Sequence, residues 1–155
     1  MPQLPEAIWR RRIENEFAEL KSKGYSFDVS QDHTDYVFFI KGKGLCEDRG
    51  AIVPVFDHKV SLRIRREYPY AGGFELAWLT PIFHPNIDDH GKVCIQLVNQ
   101  WSAGQTISSI VEALVQLLEN PNPDSPLNYE AAQYVLEHPA GTAEKMKKPS
   151  RPRIL

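Results

Sequence analysis

Apolar residues first recur along this chain at intervals of three and four. Ile13, Phe17 and Leu20 follow Trp9 with charged residues between them. That period predicts an amphipathic helix over Glu6–Lys23, with Pro5 near its start and Gly24 just past its end. The period then shortens to two. The runs YSFDVS, YVFFIKG, HKVSLRIRR and FELAWL alternate or are rich in β-branched and aromatic residues, and polar or glycine-bearing turns separate them. Four consecutive strands with short links predict an antiparallel meander. Between the second and third runs, LCEDRGAIVPVF reads as a long link or a strand extension.

From Thr80 to Gln105 no period holds, and an irregular stretch of that length inside a compact domain is usually functional. A strongly apolar helix follows in TISSIVEALVQLLEN, carrying Ile107, Ile110, Val111, Leu114, Leu117 and Leu118 behind a Thr106 N-cap. The segment PNPDSP stops it, because proline cannot continue a helix. Asn128 then caps a helix containing Ala131, Ala132, Val135 and Leu136, which Pro139 ends, and a short last helix is expected over Ala140–Lys147. Strands grouped together and helices grouped at the ends predict an α+β fold.

The length of 155 residues suits one domain, expected over 1–148, with a loose tail at 149–155. Hydrophobic content of 42% and charged content of 25% are those of a soluble globular protein. A formal net charge of -2 gives no reason to expect nucleic acid or an anionic membrane as partner. No run is long and apolar enough to span a bilayer, and MPQLPEAIWRRR lacks the apolar core of a signal peptide. Two cysteines, Cys46 and Cys94, fit a reducing compartment, so a cytoplasmic location is expected.

Cys94 carries the chemical question. It follows His84, Asn86 and His90 in the irregular stretch, and three readings are open. As a core residue it would fill space beside Val93 and Ile95, as on a buried strand. As a zinc ligand it would join His84 and His90, but their spacing is irregular and a fourth ligand is missing, so no metal is expected. As a nucleophile it needs an easily deprotonated thiol and an oxyanion donor, which the side-chain amide of Asn86 could supply once tight turns at His84-Pro85 and DDHG fold the loop back. No histidine has an obvious orienting partner. That favours a cysteine that exchanges acyl groups over one that hydrolyses amides.

HPN at His84–Asn86, Cys94 eight residues on, WS at Trp101–Ser102, TISS at Thr106–Ser109 and LLENPNPDSPLNYEAAQY at Leu117–Tyr134 form an ordered set. With REYPY upstream, this set resembles a ubiquitin-conjugating enzyme, densely from Tyr68 to Tyr134. The resemblance implies that fold: a four-stranded antiparallel meander with an N-terminal helix and C-terminal helices. It implies that Cys94 accepts ubiquitin or a ubiquitin-like protein as a thioester from an activating enzyme. Transfer then follows to an amine, usually a lysine of a protein substrate, or to a ligase. It gives Asn86 oxyanion support or a loop-holding role, and His84 a structural one, with Pro85 and Trp101 supporting the site. Ser125 falls where the family commonly has an Asp or Ser facing the cysteine. Arg10, Arg11 and Arg12 lie on the helix that meets the activating enzyme. Tyr70, Ser102 and Ala103 lie on loops that usually help bind ligases. ATP is spent by the activating enzyme, so no cofactor is implied for this chain. A binding module of the same fold, silent in catalysis, is the alternative, and the retained cysteine argues against it.

The chain departs from the family pattern in places. Ala71, Gly72 and Gly73 stand where a Pro-Pro pair is usual, and Ser102, Ala103 and Gly104 replace a Ser-Pro-Ala loop. Gln96 replaces a frequent acid, Ser125 is not an acid, and the link around Cys46–Phe56 looks longer than usual.

Overall fold

The computed structural model describes residues 2–101, Trp101 by its backbone alone, and 106–139. The elements run α1 (Glu6–Ser22), β1 (Phe27–Val29), β2 (Asp35–Asp48), β3 (Ala51–Ile64), β4 (Phe74–Trp78), α2 (Ile95–Trp101), α3 (Ile107–Glu119) and α4 (Tyr129–Glu137). The four strands form one sheet in the order β1-β2-β3-β4, and every neighbouring pair is antiparallel. This is the meander expected from the period-two runs. The expected last helix and the tail at 149–155 lie outside the described residues.

Alternation decides which face of the sheet is covered. Tyr36, Phe38 and Ile40 on β2, and Val60, Leu62 and Ile64 on β3, are buried on the inner face. The intervening Phe39, Lys59 and Arg63 are exposed on the outer one. Against the inner face lies α3, whose Ile107, Ile110, Val111, Leu114, Leu117 and Leu118 are all buried. Each such side chain contributes about 1.5–3 kcal/mol through apolar burial. Thr106 caps α3 as expected, and Ser109 reciprocates by binding the Thr106 N–H at 2.9 Å.

The segment from Leu45 to Phe56 is a strand extension and not a link. β2 and β3 each run 14 residues and turn at Arg49-Gly50, where φ is 53° and 82°. Positive φ at both central residues is the tight turn that matches strand twist in a two-residue hairpin. The register slips between Lys41↔Asp57 and Gly44↔Val55, so Gly42 and Lys43 together oppose one residue, Phe56, in a bulge. A Cβ added at Gly42 would sit 2.9 Å from Leu118 Cδ2, so this bulge packs against the end of α3.

α2 was not legible in the hydrophobic pattern. Leu97 and Val98 are buried within it, but a helix of seven residues is too short to show an apolar stripe. Nor is Cys94 on a strand: Val93 is buried, Ile95 is exposed, and the Cys94 carbonyl accepts the Val98 N–H at 3.3 Å at the head of α2.

Candidate active site

The sulfur-bearing residue is half-buried against the core, at the point where an irregular loop becomes α2. Its backbone N–H donates to the carbonyl of Asn86 at 2.9 Å. Short bridges, Ala77↔Lys92 and Ile87↔Val93, attach the intervening loop to the edge of the sheet and to itself. Asp88 shapes that loop by accepting the backbone N–H groups of His90 and Lys92, each at 2.9 Å. Partial desolvation works to raise the Asp88 carboxyl, but these bonds outweigh it and hold the carboxyl below its ordinary value. Gly91 completes the turn with φ of 88°, and a Cβ there would collide with the carbonyl oxygen of Trp78.

His84 is 4% exposed. Its Nδ1 accepts the N–H of Asn86 at 3.0 Å, which leaves Nε2–H to donate to the Leu117 carbonyl at 2.8 Å. Burial is the largest influence on the ring and pushes its pKa down to about 4. His84 is therefore a neutral clamp between its own turn and the last turn of α3. Pro85 lends its carbonyl to the N–H groups of Leu127 and Asn128, at 2.7 and 3.1 Å, and so fixes the start of α4.

Asn86 is fully buried. Its Nδ2 donates to the carbonyls of Asn122 at 2.8 Å and Ser125 at 3.1 Å, while its Oδ1 accepts the Asn122 N–H at 2.8 Å. Both amide hydrogens are thus committed to the loop between α3 and α4. As it stands, the side chain braces that loop and offers no hydrogen to an oxyanion. Ser125 joins the constellation through its carbonyl, and the residue itself is exposed. The side chain of Trp101, with Ser102 and Ala103, lies outside the described residues.

His90 is exposed and stands apart from the His84 clamp. Among the described residues no group of three or more His, Cys, Asp or Glu is placed to hold a metal ion. The two backbone bonds at the ring nitrogens of His84 leave it no lone pair for one.

The three arginines of α1 separate. Arg11 is exposed. Arg10 reaches the Asp32 carbonyl at 2.7 Å and lies over the Trp9 ring. Arg12 turns inward, with its Nε 2.7 Å from Glu16 and its guanidinium over Tyr68, so Arg10 and Arg12 are both half-buried and Arg11 is the exposed one of the three. Glu16, which pattern reasoning passed over, is 6% exposed and also accepts the Tyr68 hydroxyl at 2.6 Å and the Ile107 N–H at 2.8 Å. One carboxylate therefore joins α1, the first turn of α3 and the turn at 65–73. Beyond that turn's buried Tyr68, Tyr70 is 41% exposed. The signal for Glu16 was its place in the series Trp9, Ile13, Glu16, Leu20, a helical spacing that a charge interrupts.

A family model described as ubiquitin-conjugating enzyme matches residues 12–149. A probable ubiquitin-conjugating enzyme E2 of Acanthamoeba polyphaga mimivirus is 27% identical over 129 residues, 79% of each chain. The probable ubiquitin-conjugating enzyme E2 31 of Arabidopsis thaliana is 28% identical over 127 residues, again 79% of each. Among solved structures, the E2 domain of a Toxoplasma gondii ubiquitin-conjugating enzyme superposes with a TM-score of 0.65 at 23% identity, covering 89% of this chain and 94% of that one, a likeness of fold. This chain belongs to the ubiquitin-conjugating enzyme family.

Proposed function

From that membership, we propose that Cys94 carries ubiquitin or a ubiquitin-like protein as a thioester and passes it to an amine. In loading, the Cys94 thiolate attacks the modifier's C-terminal carbonyl on the activating enzyme. A new C–S bond forms, the old one breaks, and the activating enzyme's thiolate leaves. In discharge, a lysine amine attacks the same carbonyl. A C–N bond forms, the C–S bond breaks, the Cys94 thiolate leaves, and the amine gives up a proton to the surrounding water. ATP is consumed upstream by the activating enzyme, and this chain needs no cofactor.

The observation that carries this reading is the setting of the thiol. Cys94 is half-buried at a helix head and tied by its backbone to Asn86, whose side chain holds the loop carrying Ser125. A thiol there is open to a second carbonyl but fixed in position, as thioester exchange requires. Asn86 serves as the brace of this site and His84 as its anchor. Ser125 flanks the path of the incoming amine. Arg10 and Arg11 contribute contacts to the activating enzyme, and Tyr70, Ser102 and Ala103 to a ligase where one is used. The protein works in a reducing, cytoplasmic setting, where Cys94 stays a thiol until it is loaded.

The test is loading with ubiquitin-activating enzyme, ubiquitin and ATP, followed on a non-reducing gel. The chain and Cys46→Ser should each give an adduct that thiols release. Cys94→Ser should give none, or a thiol-resistant oxyester, because an alkoxide leaves less readily than a thiolate. An adduct carried on Cys46, or no adduct with ubiquitin or any ubiquitin-like modifier tried with its own activating enzyme, would overturn the reading.

A further inference from the structure

The extended β2–β3 hairpin does more than lengthen the sheet. It stands beside α4, and between them runs a groove of about 330 Å³. Its floor is apolar and aromatic: Ile52 of β3, Phe83 of the loop that leads to His84, and Tyr134 of α4. The two rings meet edge to face at 5.8 Å, and the Phe83 N–H donates to the Leu45 carbonyl at 2.7 Å, so the hairpin is fastened to the floor. The flanks carry Glu47, Glu130 and Glu137, all exposed, and no lysine or arginine is among the lining residues.

Glu130 also lines a second groove, about 340 Å³, shared with Asp88, Asp89 and the strongly exposed Tyr129. This second groove follows the loop that ends at Cys94. Its other wall is the start of α4, which hangs from the Pro85 carbonyl, while Cys94 hangs from the carbonyl of the next residue, Asn86. Sharing Glu130, the two grooves make an acidic track along α4, in which His90 is the single basic side chain among the lining residues. Along α4, Glu130 and Glu137 are about 10 Å apart, a span that an extended peptide covers in about three residues.

We propose that this track receives a basic, lysine-bearing segment of the acceptor protein. The inference rests on the transferase reading above and names the class of substrate for it. Charge complementarity selects the occupant. Carboxylates on both flanks repel an acidic segment and attract a basic one, and the aromatic floor accepts the methylene stems of Lys and Arg. A segment held in the track keeps its lysine on the same molecule as the thioester, which raises the effective concentration of that amine.

The experiment uses the full chain and two labelled peptides. One has a single lysine flanked by arginines, and in the other glutamates replace those arginines. Fluorescence anisotropy with the unloaded chain should show the basic peptide binding more tightly, and less so as salt rises. Replacing the three carboxylates together (Glu47→Gln, Glu130→Gln, Glu137→Gln) should weaken that binding about tenfold, the sum of three exposed charge contacts. With the loaded chain, the same triple variant should lower the kcat/KM preference for the basic peptide over the acidic one by a similar factor. Equal binding of the two peptides, or unchanged binding by the triple variant, would overturn the proposal. A third arm tests the chain's own basic stretch, with Lys145→Gln, Lys147→Gln and Lys148→Gln combined. If these changes strengthen peptide binding, that stretch is the natural occupant and the proposal falls; unchanged binding supports it. Because binding is read without a thioester, a chain that binds the basic peptide but never loads would refute the transferase reading and leave the groove's ligand chemistry standing.

Discussion

The buried histidine makes the stability of this protein depend on pH in a way that can be worked out beforehand. His84 accepts the Asn86 N–H on Nδ1, so a proton there would set two N–H groups against each other inside the core. Burial is the main reason that its pKa falls from 6.5 to about 4. Well above pH 6.5 the ring is neutral in the folded and unfolded chains alike, and it adds no pH dependence. As pH falls below 6.5 the unfolded chain takes up a proton that the folded chain refuses, so stability drops until pH reaches about 4. The full gap is worth about 3 kcal/mol, and about 2 kcal/mol of it falls between pH 7 and 5. Urea unfolding at those two pH values should show the loss, and a melting temperature should fall by about 4–8 °C. His84→Gln removes the titration, so the variant, though weaker at pH 7, should lose about 2 kcal/mol less than the parent over the same interval. Asp32, Asp57 and Asp88 are each held below 3.8, so their losses come at lower pH and do not blur the comparison. Parallel pH profiles for parent and variant would refute the reasoning.

Two further sites give sharp expectations. Glu16→Ala removes the acceptor of the Tyr68 hydroxyl and of the Ile107 N–H and the carboxylate paired with Arg12; it should cost about 3 kcal/mol in urea unfolding, against about 1 kcal/mol for Tyr68→Phe, which deletes one hydroxyl. Asn86→Ala should lower melting temperature, loading rate and lysine-discharge rate together, measured by thermal melting and single-turnover gels.

How much of this could be read from the sequence differs from element to element, for physical reasons. α1, α3 and the strands of the sheet declare themselves because each buries one face, and burial imposes a period. The N-caps Thr106 and Asn128 were legible for an equally local reason: their oxygens bind backbone N–H groups three residues on. The extended hairpin was ambiguous because beyond the core neither face of its strands is fully covered, so Glu47, Asp48 and Ala51 are all exposed and show no alternation. Glu16 escaped because its partners, Tyr68 and Ile107, are 52 and 91 residues away, and no local rule joins them. The same limit applies at the site. HPN and Cys94 could be picked out as a motif, but the direction in which Asn86 points depends on Asn122 and Ser125, 36 and 39 residues on.

That direction bears on the chemistry, and energies decide between the two roles open to Asn86. An oxyanion donor is worth about 3–4 kcal/mol at the transition state. A planar amide cannot free one hydrogen without swinging its other hydrogen and its oxygen, so donating outward would break the bonds to Asn122 O, Ser125 O and the Asn122 N–H as a set. At about 1 kcal/mol for each of these three part-buried bonds, the loss is about 3 kcal/mol. The gain and the loss cancel, so the swing confers no rate advantage, while the brace is already made in the unloaded chain. The same bonds hold the loop between α3 and α4 to the residue whose carbonyl binds the Cys94 N–H. For this reason Asn86→Ala should damage loading and discharge in parallel with stability. Discharge slowed about 100-fold, with loading rate and melting temperature intact, would mean that the amide does leave its loop, and the brace would no longer account for the residue.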